Sequence, residues 1–305
     1  MRGWSSSAST DVRRVAAVLL GGLALALAAG CGGGSQAARV VPAGHPCRGA
    51  SPPHRYAHVV VVVMENRGFS DVAGHSPYLN GLATACGLAT DYSAAAHPSL
   101  PNYLALTSGS THGISSDCTD CTVSAPSLFG QLGGDWRSYL EGIPFPGFEG
   151  AVSGRYAKKH NPAAYFVPLA ADYARNAVPM SALRTDLAKG TLARFSLVVP
   201  DLCSDEHNCP ISTGDAWLHG WVPRILASRA YRAGKTAVVV TYDESDGGEN
   251  EVYTAVAARS VKPGTSVGAD FDHYSLLRTT EGLLGLPCLA SACKVHSMAP
   301  AFHLS

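Results

Sequence analysis

The most continuous hydrophobic stretches of this sequence are three runs of mostly β-branched residues. They lie at His58–Met64, Phe195–Val199 and Thr236–Tyr242. Unbroken runs of this kind are typical of strands buried on both faces of a parallel sheet. Shorter runs predict further strands at residues 88–92, 136–141 and 251–257. The pattern therefore predicts an α/β fold with a mostly parallel central sheet.

Apolar residues that recur every three or four positions predict helices between these strands. The predicted helices begin near residues 78, 99, 127, 214 and 272. They are expected to cover both faces of the sheet. Asp215, near the start of the fourth of these helices, is interpreted as a structural residue or helix cap.

Ser99 stands at the start of the helix around which the chain is organised. Leu100, Tyr103 and Leu104 share its buried face, and Pro101 lies in the first turn, as is common at a helix start. A helix N-terminus binds phosphate well, because its backbone N–H groups are free and its dipole is positive there. Ser99 is therefore either a helix cap or a nucleophile that faces a bound anion. On its own, this segment favours the cap.

Polar side chains follow each of the three buried strands. Glu65 and Asn66 follow the first, Asp205 and His207 come shortly after the second, and Asp243 and Glu244 follow the third. Ligands of open α/β sheets bind beyond the carboxyl ends of the strands. If the strands are parallel, these side chains meet at one edge, where several carboxylates are costly without a cation.

A divalent metal ion is predicted at this edge. The candidate ligands all offer oxygen atoms, namely Glu65, Asn66, Ser99, Asp243 and Glu244. Such a set suits Mg²⁺, Ca²⁺ or Mn²⁺. A metal on the Ser99 oxygen would lower its pKa and direct it at a phosphorus atom. These residues predict hydrolysis of a phosphate ester through a phosphoserine intermediate.

This chemistry also needs a contact for the phosphoryl oxygens and a proton donor. Asn102, in the first turn of the Ser99 helix, is expected to contact the oxygens as charge builds on them. A histidine is expected to protonate the leaving alcohol. Lys159 and His160 lie in an irregular loop that can meet a phosphate, although the loop alone is more typical of a solvated surface.

The charge balance argues against nucleic acid as a partner. The 305 residues contain 23 Lys and Arg and 23 Asp and Glu, so the formal net charge is zero. Proteins that follow a nucleic-acid backbone carry a basic excess. No internal run is long and apolar enough to cross a bilayer. The length allows one large α/β domain.

The N-terminus has the pattern of an export signal. Arg13 and Arg14 precede an apolar run at residues 15–29, and Cys31 follows shortly after it. The segment is similar to a bacterial lipobox, whose cysteine carries lipid, although Ala28 stands where Leu is usual. Ordinary secretion with cleavage nearby is the alternative, and the paired arginines also suit a twin-arginine signal.

The predicted signal divides the chain into three parts. We expect a signal peptide at residues 1–31, a flexible tether at residues 32–56 and one domain at residues 57–305. The protein is then exported, and is either secreted or held at the outer face of the membrane by lipid alone.

The cysteines agree with export. There are 9, so lipid on Cys31 leaves an even set whose disulfides suit an oxidising compartment. Cys203 with Cys209, and Cys288 with Cys293, are close enough in sequence to pair locally. Cys118 and Cys121 form a CxxC motif, for which a structural bridge is favoured because no second CxxC or nearby histidine completes a zinc site.

Six motifs occur in order across residues 58–287. They are Met64-Glu65-Asn66, His97-Pro98-Ser99-Leu100-Pro101-Asn102-Tyr103, Lys159-His160-Asn161-Pro162, Asp205-Glu206-His207, Thr241-Tyr242-Asp243-Glu244 and His273-Tyr274-Ser275-Leu276-Leu277-Arg278-Thr279. Together they resemble the bacterial phosphoesterase family of secreted acid phosphatases and phospholipases C, within the alkaline-phosphatase-like superfamily. The short chain is more similar to the secreted acid phosphatases, including those acting on phosphatidylinositol 3-phosphate.

The resemblance implies an alkaline-phosphatase-like fold with Ser99 as nucleophile. The implied metal ligands are Glu65, Asn66, Asp243 and Glu244. The implied acids or phosphate contacts are His160, His207 and His273. The implied substrate contacts are Asn102, Lys159 and Asp205. No histidine follows Glu244, where two-zinc relatives carry an Asp-His pair, and this favours one metal ion. The expected substrate is a phosphate monoester, either a small molecule or a phosphoinositide. A phospholipase C or phosphodiesterase, and a non-enzymatic surface lipoprotein, are the alternatives.

Overall fold

The structure is a computed structural model that describes residues 44–305. The export signal, Cys31 and residues 32–43 of the expected tether lie outside the described residues and stay predictions. Within residues 44–305, no helix combines the length and the apolar character that spanning a membrane requires.

Twelve strands occur in the described part of the chain. They are β1 (His58–Met64), β2 (Gly87–Ala89), β3 (Tyr92–Ser93), β4 (Trp136–Leu140), β5 (Val152–Ser153), β6 (Tyr156–Ala157), β7 (Ala177–Pro179), β8 (Phe195–Val199), β9 (Thr236–Tyr242), β10 (Thr254–Ala257), β11 (Thr265–Val267) and β12 (Phe271–Asp272). Eight of them form one sheet in the order β11-β2-β10-β9-β1-β8-β4-β7. The pairs β12-β3 and β5-β6 form two small separate sheets.

Nine α-helices accompany these strands in the described residues. They are α1 (Phe69–His75), α2 (Pro77–Ala85), α3 (Ser99–Ser108), α4 (Leu128–Gln131), α5 (Ala170–Asn176), α6 (Ser181–Lys189), α7 (Ile211–Leu226), α8 (Arg229–Arg232) and α9 (His273–Leu284). Short 3₁₀ segments lie at Lys158–His160, Pro162–Tyr165, Val167–Leu169 and Ala290–Lys294. Helix α3 packs against α9, and α2 packs against α7.

The three predicted core strands are neighbours in the order β9-β1-β8 and run parallel. Val61 of β1 is level with Leu197 of β8 and Val239 of β9, and all three side chains are buried. β4 and β7 continue the parallel arrangement beyond β8, whereas β10 is antiparallel to β9. The predicted α/β fold with a mostly parallel sheet is confirmed. The residues that follow β1, β8 and β9 consequently lie at one edge.

Some elements differ from their predictions. The strand predicted at residues 88–92 is divided between β2 and β3, which belong to different sheets because the chain bends between them. The strand predicted at residues 251–257 begins at Thr254. The elements that were not predicted are strands β5, β6, β7, β11 and β12 and helices α1, α5, α6 and α8. β7 is a three-residue strand that ends in Pro179, so no hydrophobic run marks it.

Asp215 lies inside α7, which begins at Ile211, so its interpretation as a cap of its own helix is wrong. Its buried carboxylate accepts hydrogen bonds from Ser76 Oγ at 2.5 Å and from the N–H groups of Tyr78 and Leu79, both at 3.0 Å. These donors lie at the start of α2. Asp215 therefore has a structural role as a cap for the neighbouring helix.

Disulfides join the eight cysteines of the described residues. Cys118–Cys121, Cys203–Cys209 and Cys288–Cys293 are the bridges that sequence proximity indicated. Cys47–Cys86 joins residues 39 positions apart and ties the segment before β1 to the end of α2. The N–H of Gly49 also bonds to the carbonyl of Val261 at 2.9 Å, so the chain is bonded to the domain before residue 57. Disulfides in this number indicate an extracellular, oxidising environment.

Candidate active site

The segments that follow β1, β8 and β9 lie side by side at the carboxyl edge of the sheet. The N–H of Glu65 donates to the carbonyl of Asp205 at 2.9 Å, and the N–H of Asp243 donates to the carbonyl of Met64 at 2.9 Å. These bonds extend the parallel pairing past the strand ends. The carboxylates of Glu65, Asp205, Asp243 and Glu244 are all buried at this edge.

Ser99 is the first residue of α3 and is fully buried. Its Oγ lies 3.2 Å from Glu65 Oε2 and 3.1 Å from Glu244 Oε1. Lys159 Nζ lies 3.3 Å from the same oxygen. The N-cap position belongs to Pro98, so the interpretation of Ser99 as a helix cap is wrong. Its hydroxyl is directed at the carboxylates that follow β1 and β9, while its role as nucleophile stays a prediction.

Glu65, His160 and Asp205 form a buried group next to Ser99. His160 Nε2 lies 3.2 Å from Glu65 Oε1, and His160 Nδ1 lies 3.4 Å from Asp205 Oδ2. The hydroxyl of Tyr103 donates to the same Glu65 oxygen at 2.5 Å. One ligand atom from each of the three residues lies within 4.8 Å of the others, so the group can hold a metal ion. His160 and Asp205 were expected as an acid and a substrate contact, and this position adds them to the candidate metal ligands.

Burial changes the protonation of this group. Burial, and then the charges of Asp243 and Asp205, raise the pKa of Glu65 well above its usual value. Burial, with the charge of Glu244 second, raises the pKa of Asp243 to about 8. Burial likewise raises the pKa of Asp205 to about 8. Burial lowers the pKa of His160 well below its usual value, which makes the ring neutral. A bound cation would favour the ionised carboxylates and the neutral imidazole.

Three buried ligand atoms have no hydrogen-bond partner within the described residues. They are Asp243 Oδ2, Asp205 Oδ2 and His160 Nε2, whose approach to Glu65 lacks hydrogen-bond geometry. A buried polar atom without a partner is unfavourable. Carboxylate oxygens and a neutral imidazole nitrogen are ordinary ligands of divalent cations. The residues present therefore fit a divalent metal ion.

Asn66 orients Asp243 through its backbone. Its φ of 54° lies in the left-handed region, which Asn tolerates better than most residues. Its N–H donates to Asp243 Oδ1 at 3.1 Å, which leaves Oδ2 of that carboxylate for a ligand. The side chain of Asn66 is half-buried, and its role as a metal ligand stays a prediction.

His97 contacts the site, although sequence reasoning did not single it out. Its Nδ1 lies 2.6 Å from Glu244 Oε2, and the other oxygen of Glu244 faces Ser99. The His97 side chain is 44% exposed, so this carboxylate connects the buried serine to the protein surface. Burial raises the pKa of Glu244, and His97 partly offsets the rise. The sequence did contain a signal for this contact, because His97 lies two residues before Ser99 and begins the second of the six motifs.

Asn102 forms all its hydrogen bonds within the protein. Its Oδ1 accepts from the N–H groups of Ala95 at 3.0 Å and Ala96 at 2.8 Å. Its Nδ2 donates to the carbonyls of Ala96 at 2.9 Å and Pro98 at 3.3 Å. A side-chain amide has two donor and two acceptor positions, so none remains for a phosphoryl oxygen. Asn102 thereby holds residues 95–98, which lead into Ser99, while its role as a substrate contact stays a prediction.

His273, expected as an acid or phosphate contact, also bonds within the protein through both ring nitrogens. Nε2 lies 2.6 Å from the carbonyl oxygen of Asp243, and Nδ1 lies 3.1 Å from the hydroxyl of Tyr92. A carbonyl only accepts, so Nε2 carries the proton and Nδ1 accepts from Tyr92. Burial lowers the pKa of His273 to about 4. The geometry therefore places His273 to hold the end of β9 rather than to donate a proton to substrate.

Lys159 brings a positive charge to the site. Its Nζ lies 2.9 Å from Asp117 Oδ2 and 3.2 Å from His207 Nε2. Burial acts to lower the pKa of Lys159, but the nearby carboxylates, first that of Asp117, raise it overall. An ammonium only donates, so His207 accepts at Nε2, and its Nδ1 donates to Asn208 Oδ1 at 2.8 Å. Asp117 was missed by sequence reasoning because the CxxC motif that follows it indicates a disulfide and gives no sign of a contact with Lys159.

Solved structures with a similar fold include a protein in the alkaline phosphatase superfamily from Vibrio parahaemolyticus. It has a TM-score of 0.53 and 11% identity, over 82% of this chain and 72% of that chain. The lipoteichoic acid synthase LtaP from Listeria monocytogenes has a TM-score of 0.56 and 10% identity, over 77% of this chain and 73% of that chain. At these identities the likeness shows the fold alone, which is that of the alkaline phosphatase superfamily.

Sequence similarity is more specific. The model of the Phosphoesterase family matches residues 75–287. A phosphatidylinositol-3-phosphatase of Mycobacterium tuberculosis is 34% identical over 247 residues, which are 78% of this chain and 80% of that protein. An acid phosphatase of Aspergillus fumigatus is 27% identical over 75% of this chain and 55% of its own length, so the chain spans about half of that relative. The chain belongs to the Phosphoesterase family.

Proposed function

We propose that this protein is a phosphoric monoester hydrolase that takes the phosphoryl group of its substrate on Ser99. The observation that carries the proposal is the position of the Ser99 hydroxyl, which is buried between the carboxylates of Glu65 and Glu244. Relatives named as phosphatases support the reaction class.

One divalent metal ion is part of the proposal, held by Glu65, Asp205, Asp243 and His160. Three of these residues have a buried ligand atom without a hydrogen-bond partner in the described part of the chain. When bound, the ion supplies positive charge that favours an ionised serine oxygen and offsets the charge of the phosphoryl group. Glu244 bonds through one oxygen to His97, which is 44% exposed, whereas Glu65 belongs to the buried group that can hold an ion, so we assign Glu244 a role other than the metal ligand that its motif implied.

The residues of this chain account for the proton transfers. Glu244 takes the proton of Ser99 Oγ, and His97, on the other oxygen of the carboxylate, connects it to solvent. Ser99 Oγ forms a bond to phosphorus, and the bond between phosphorus and the substrate alcohol breaks. His207, half-buried beside Lys159, gives a proton to the departing alcohol from the form that is protonated at Nε2, in which this nitrogen no longer accepts from Lys159.

Lys159 completes the arrangement. Its ammonium lies 3.3 Å from Ser99 Oγ, where it can contact the phosphoryl oxygens. Water then cleaves the bond between phosphorus and Ser99 Oγ, which regenerates the serine and releases inorganic phosphate.

The proposed substrate is a phosphate monoester, either of a small alcohol or of a phosphoinositide headgroup. The relative named as a phosphatidylinositol-3-phosphatase supports the second choice. Export is also part of the proposal and is supported by the disulfides of residues 47–293. A lipid anchor at Cys31 is the remaining expectation, which mass spectrometry of the mature N-terminus tests.

Turnover of a substrate panel tests the proposed reaction. The panel contains small phosphomonoesters, phosphoinositides and choline diesters, assayed across pH with and without a chelator. Monoester hydrolysis that Ser99→Ala abolishes supports the proposal, and Ser108→Ala, at the other end of α3, is the matched control. Turnover of diesters alone, or an active Ser99→Ala variant, contradicts it.

A further inference from the structure

Asp117 occupies two groups that a phosphoryl oxygen at Ser99 would also use. Its Oδ2 accepts from Lys159 Nζ at 2.9 Å, and its Oδ1 accepts from the N–H of Leu100 at 2.9 Å. Lys159 Nζ is also 3.3 Å from Ser99 Oγ. A phosphorus atom bonded to that oxygen brings its other oxygens to the same ammonium and the same helix start.

Lys159 cannot offset the negative charges of Asp117 and of a bound phosphate at the same time. Lys159 carries one positive charge, whereas the carboxylate of Asp117 and a bound phosphate are both negative. The side chains of Lys159 and Asp117 are 18% and 28% exposed, so solvent screens their interaction only in part. Phosphate that approaches Ser99 is therefore repelled by Asp117 for as long as the carboxylate stays on Lys159.

The backbone around Asp117 is held close to Lys159. The Cys118–Cys121 disulfide follows Asp117 directly. Lys158 Nζ donates to the carbonyl of Thr119 at 2.8 Å, which ties this loop to the segment that carries Lys159. The exchange of Asp117 for phosphate therefore requires only a rotation of a partly exposed side chain, without movement of the loop.

We propose that Asp117 is a specificity-determining residue that competes with phosphate for Lys159. The proposal rests on the proposed function in one respect, namely that phosphate binds at Ser99. An esterified substrate can offset the repulsion through contacts of its alcohol portion, whereas inorganic phosphate has no such contacts. Asp117 therefore weakens binding of free phosphate more than binding of substrate, and it promotes release of the product.

Binding of inorganic phosphate to the Asp117→Asn variant tests this proposal. Asn retains an oxygen that accepts the N–H of Leu100 but removes the negative charge. We expect the dissociation constant of inorganic phosphate, measured by calorimetry on the full purified chain, to fall about tenfold. The inhibition constant of phosphate in the monoester assay should fall by a similar factor. Asp117→Glu, which restores the charge, should return both constants toward the wild-type values.

Asp120→Asn is the matched control, because it removes the same charge from an exposed position in the same loop. Its phosphate affinity should equal that of the wild type. Should Asp117→Asn melt much earlier than wild type, Asp117→Ser provides a second neutral variant with the same expected result. Unchanged or weaker phosphate binding in a folded neutral variant overturns the proposal, since Asp117 would then only position Lys159. The binding measurement needs no turnover, so its result does not depend on whether Ser99 is the nucleophile. That separate claim is tested by phosphate labelling of Ser99.

Discussion

The hydroxyl of Ser99 lies 3.1 Å from Oε1 of Glu244, although the two residues are 145 positions apart in the sequence. The second oxygen of Glu244 lies 2.6 Å from Nδ1 of His97, whose ring is open to solvent. One carboxylate thus connects a buried hydroxyl to a solvent-facing imidazole. This arrangement suits removal of the serine proton, and it uses both oxygens of Glu244.

Glu244→Gln tests the role of this carboxylate as a base. Gln keeps the shape of the side chain but cannot take a proton, so the rate of monoester hydrolysis should fall about 100-fold or more. The metal content should be unchanged, because other residues hold the ion in our account. Steady-state kinetics and elemental analysis measure the two effects. Glu249→Gln, exposed in the following loop, should match the wild type. Joint loss of metal and activity in Glu244→Gln would instead support Glu244 as a metal ligand.

The convergence of the acidic residues was predictable from the sequence because it depends on local pattern and topology. The runs that became β1, β8 and β9 are continuous and β-branched, and parallel pairing brings their ends together. Glu65, Asp205 and Asp243 therefore met at one edge as expected. The local disulfides were predictable for a similar reason, since their cysteines are neighbours in sequence.

The uses of individual side chains were less predictable, because they depend on partners that are distant in sequence or on competing backbone groups. Asn102 has the chemistry of a phosphate ligand, but the backbone of residues 95–98 uses all its hydrogen-bonding positions. The sequence does not distinguish the role of His273 from that of His207. Only the structure shows that both ring nitrogens of His273 bond within the protein, to Tyr92 and to the carbonyl of Asp243. The CxxC motif beside Asp117 indicates only a disulfide, and the partners of Asp117 become its neighbours only in the folded chain.

Asn102→Ala distinguishes a structural role from a substrate contact. The variant leaves the N–H groups of Ala95 and Ala96 without their acceptor, so the free energy of unfolding should fall by about 2–4 kcal/mol. Activity should fall as well, because the turn before Ser99 loosens. Denaturant unfolding and kinetics provide the readouts. Asn80→Ala, whose amide bonds to carbonyls in α1, should lose stability without loss of activity at saturating substrate. Normal stability with a raised KM in Asn102→Ala would favour the substrate contact.

Metal content should depend on residues that follow two different strands. Asp243→Asn and Asp205→Asn each remove a carboxylate with an unpartnered buried oxygen, so both variants should lose the divalent ion and the activity together. Elemental analysis of purified protein measures this. Asp246→Asn, exposed three residues after Asp243, should retain the ion. If Asp205→Asn retains the ion while Asp243→Asn loses it, Asp205 is not a metal ligand.

Glu281 should make the stability of the protein depend on pH. This buried residue accepts the N–H of Leu289 at 2.8 Å, and burial raises its pKa from 4.5 to about 7. A carboxyl with a raised pKa favours the folded state while it is protonated. Its contribution is therefore present below pH 4.5 and is lost as pH rises through about 7.

Comparison of Glu281→Gln with the wild type isolates this contribution. The variant should gain about 1–3 kcal/mol relative to the wild type between about pH 5 and pH 8, because its amide does not titrate. Urea unfolding at the two pH values measures the difference. A constant difference between the two proteins would show that Glu281 titrates normally in the folded state.

Phosphate trapped on the enzyme tests the central claim, that Ser99 carries the phosphoryl group, most directly. The wild-type protein is quenched in acid during turnover of a phosphomonoester, digested and analysed by mass spectrometry. We expect phosphate on the peptide that contains Ser99, and no phosphate on the same peptide of Ser99→Ala, whose rate should be lower by several orders of magnitude with little change in melting. Turnover without any phosphoserine, together with an active Ser99→Ala variant, would contradict the account.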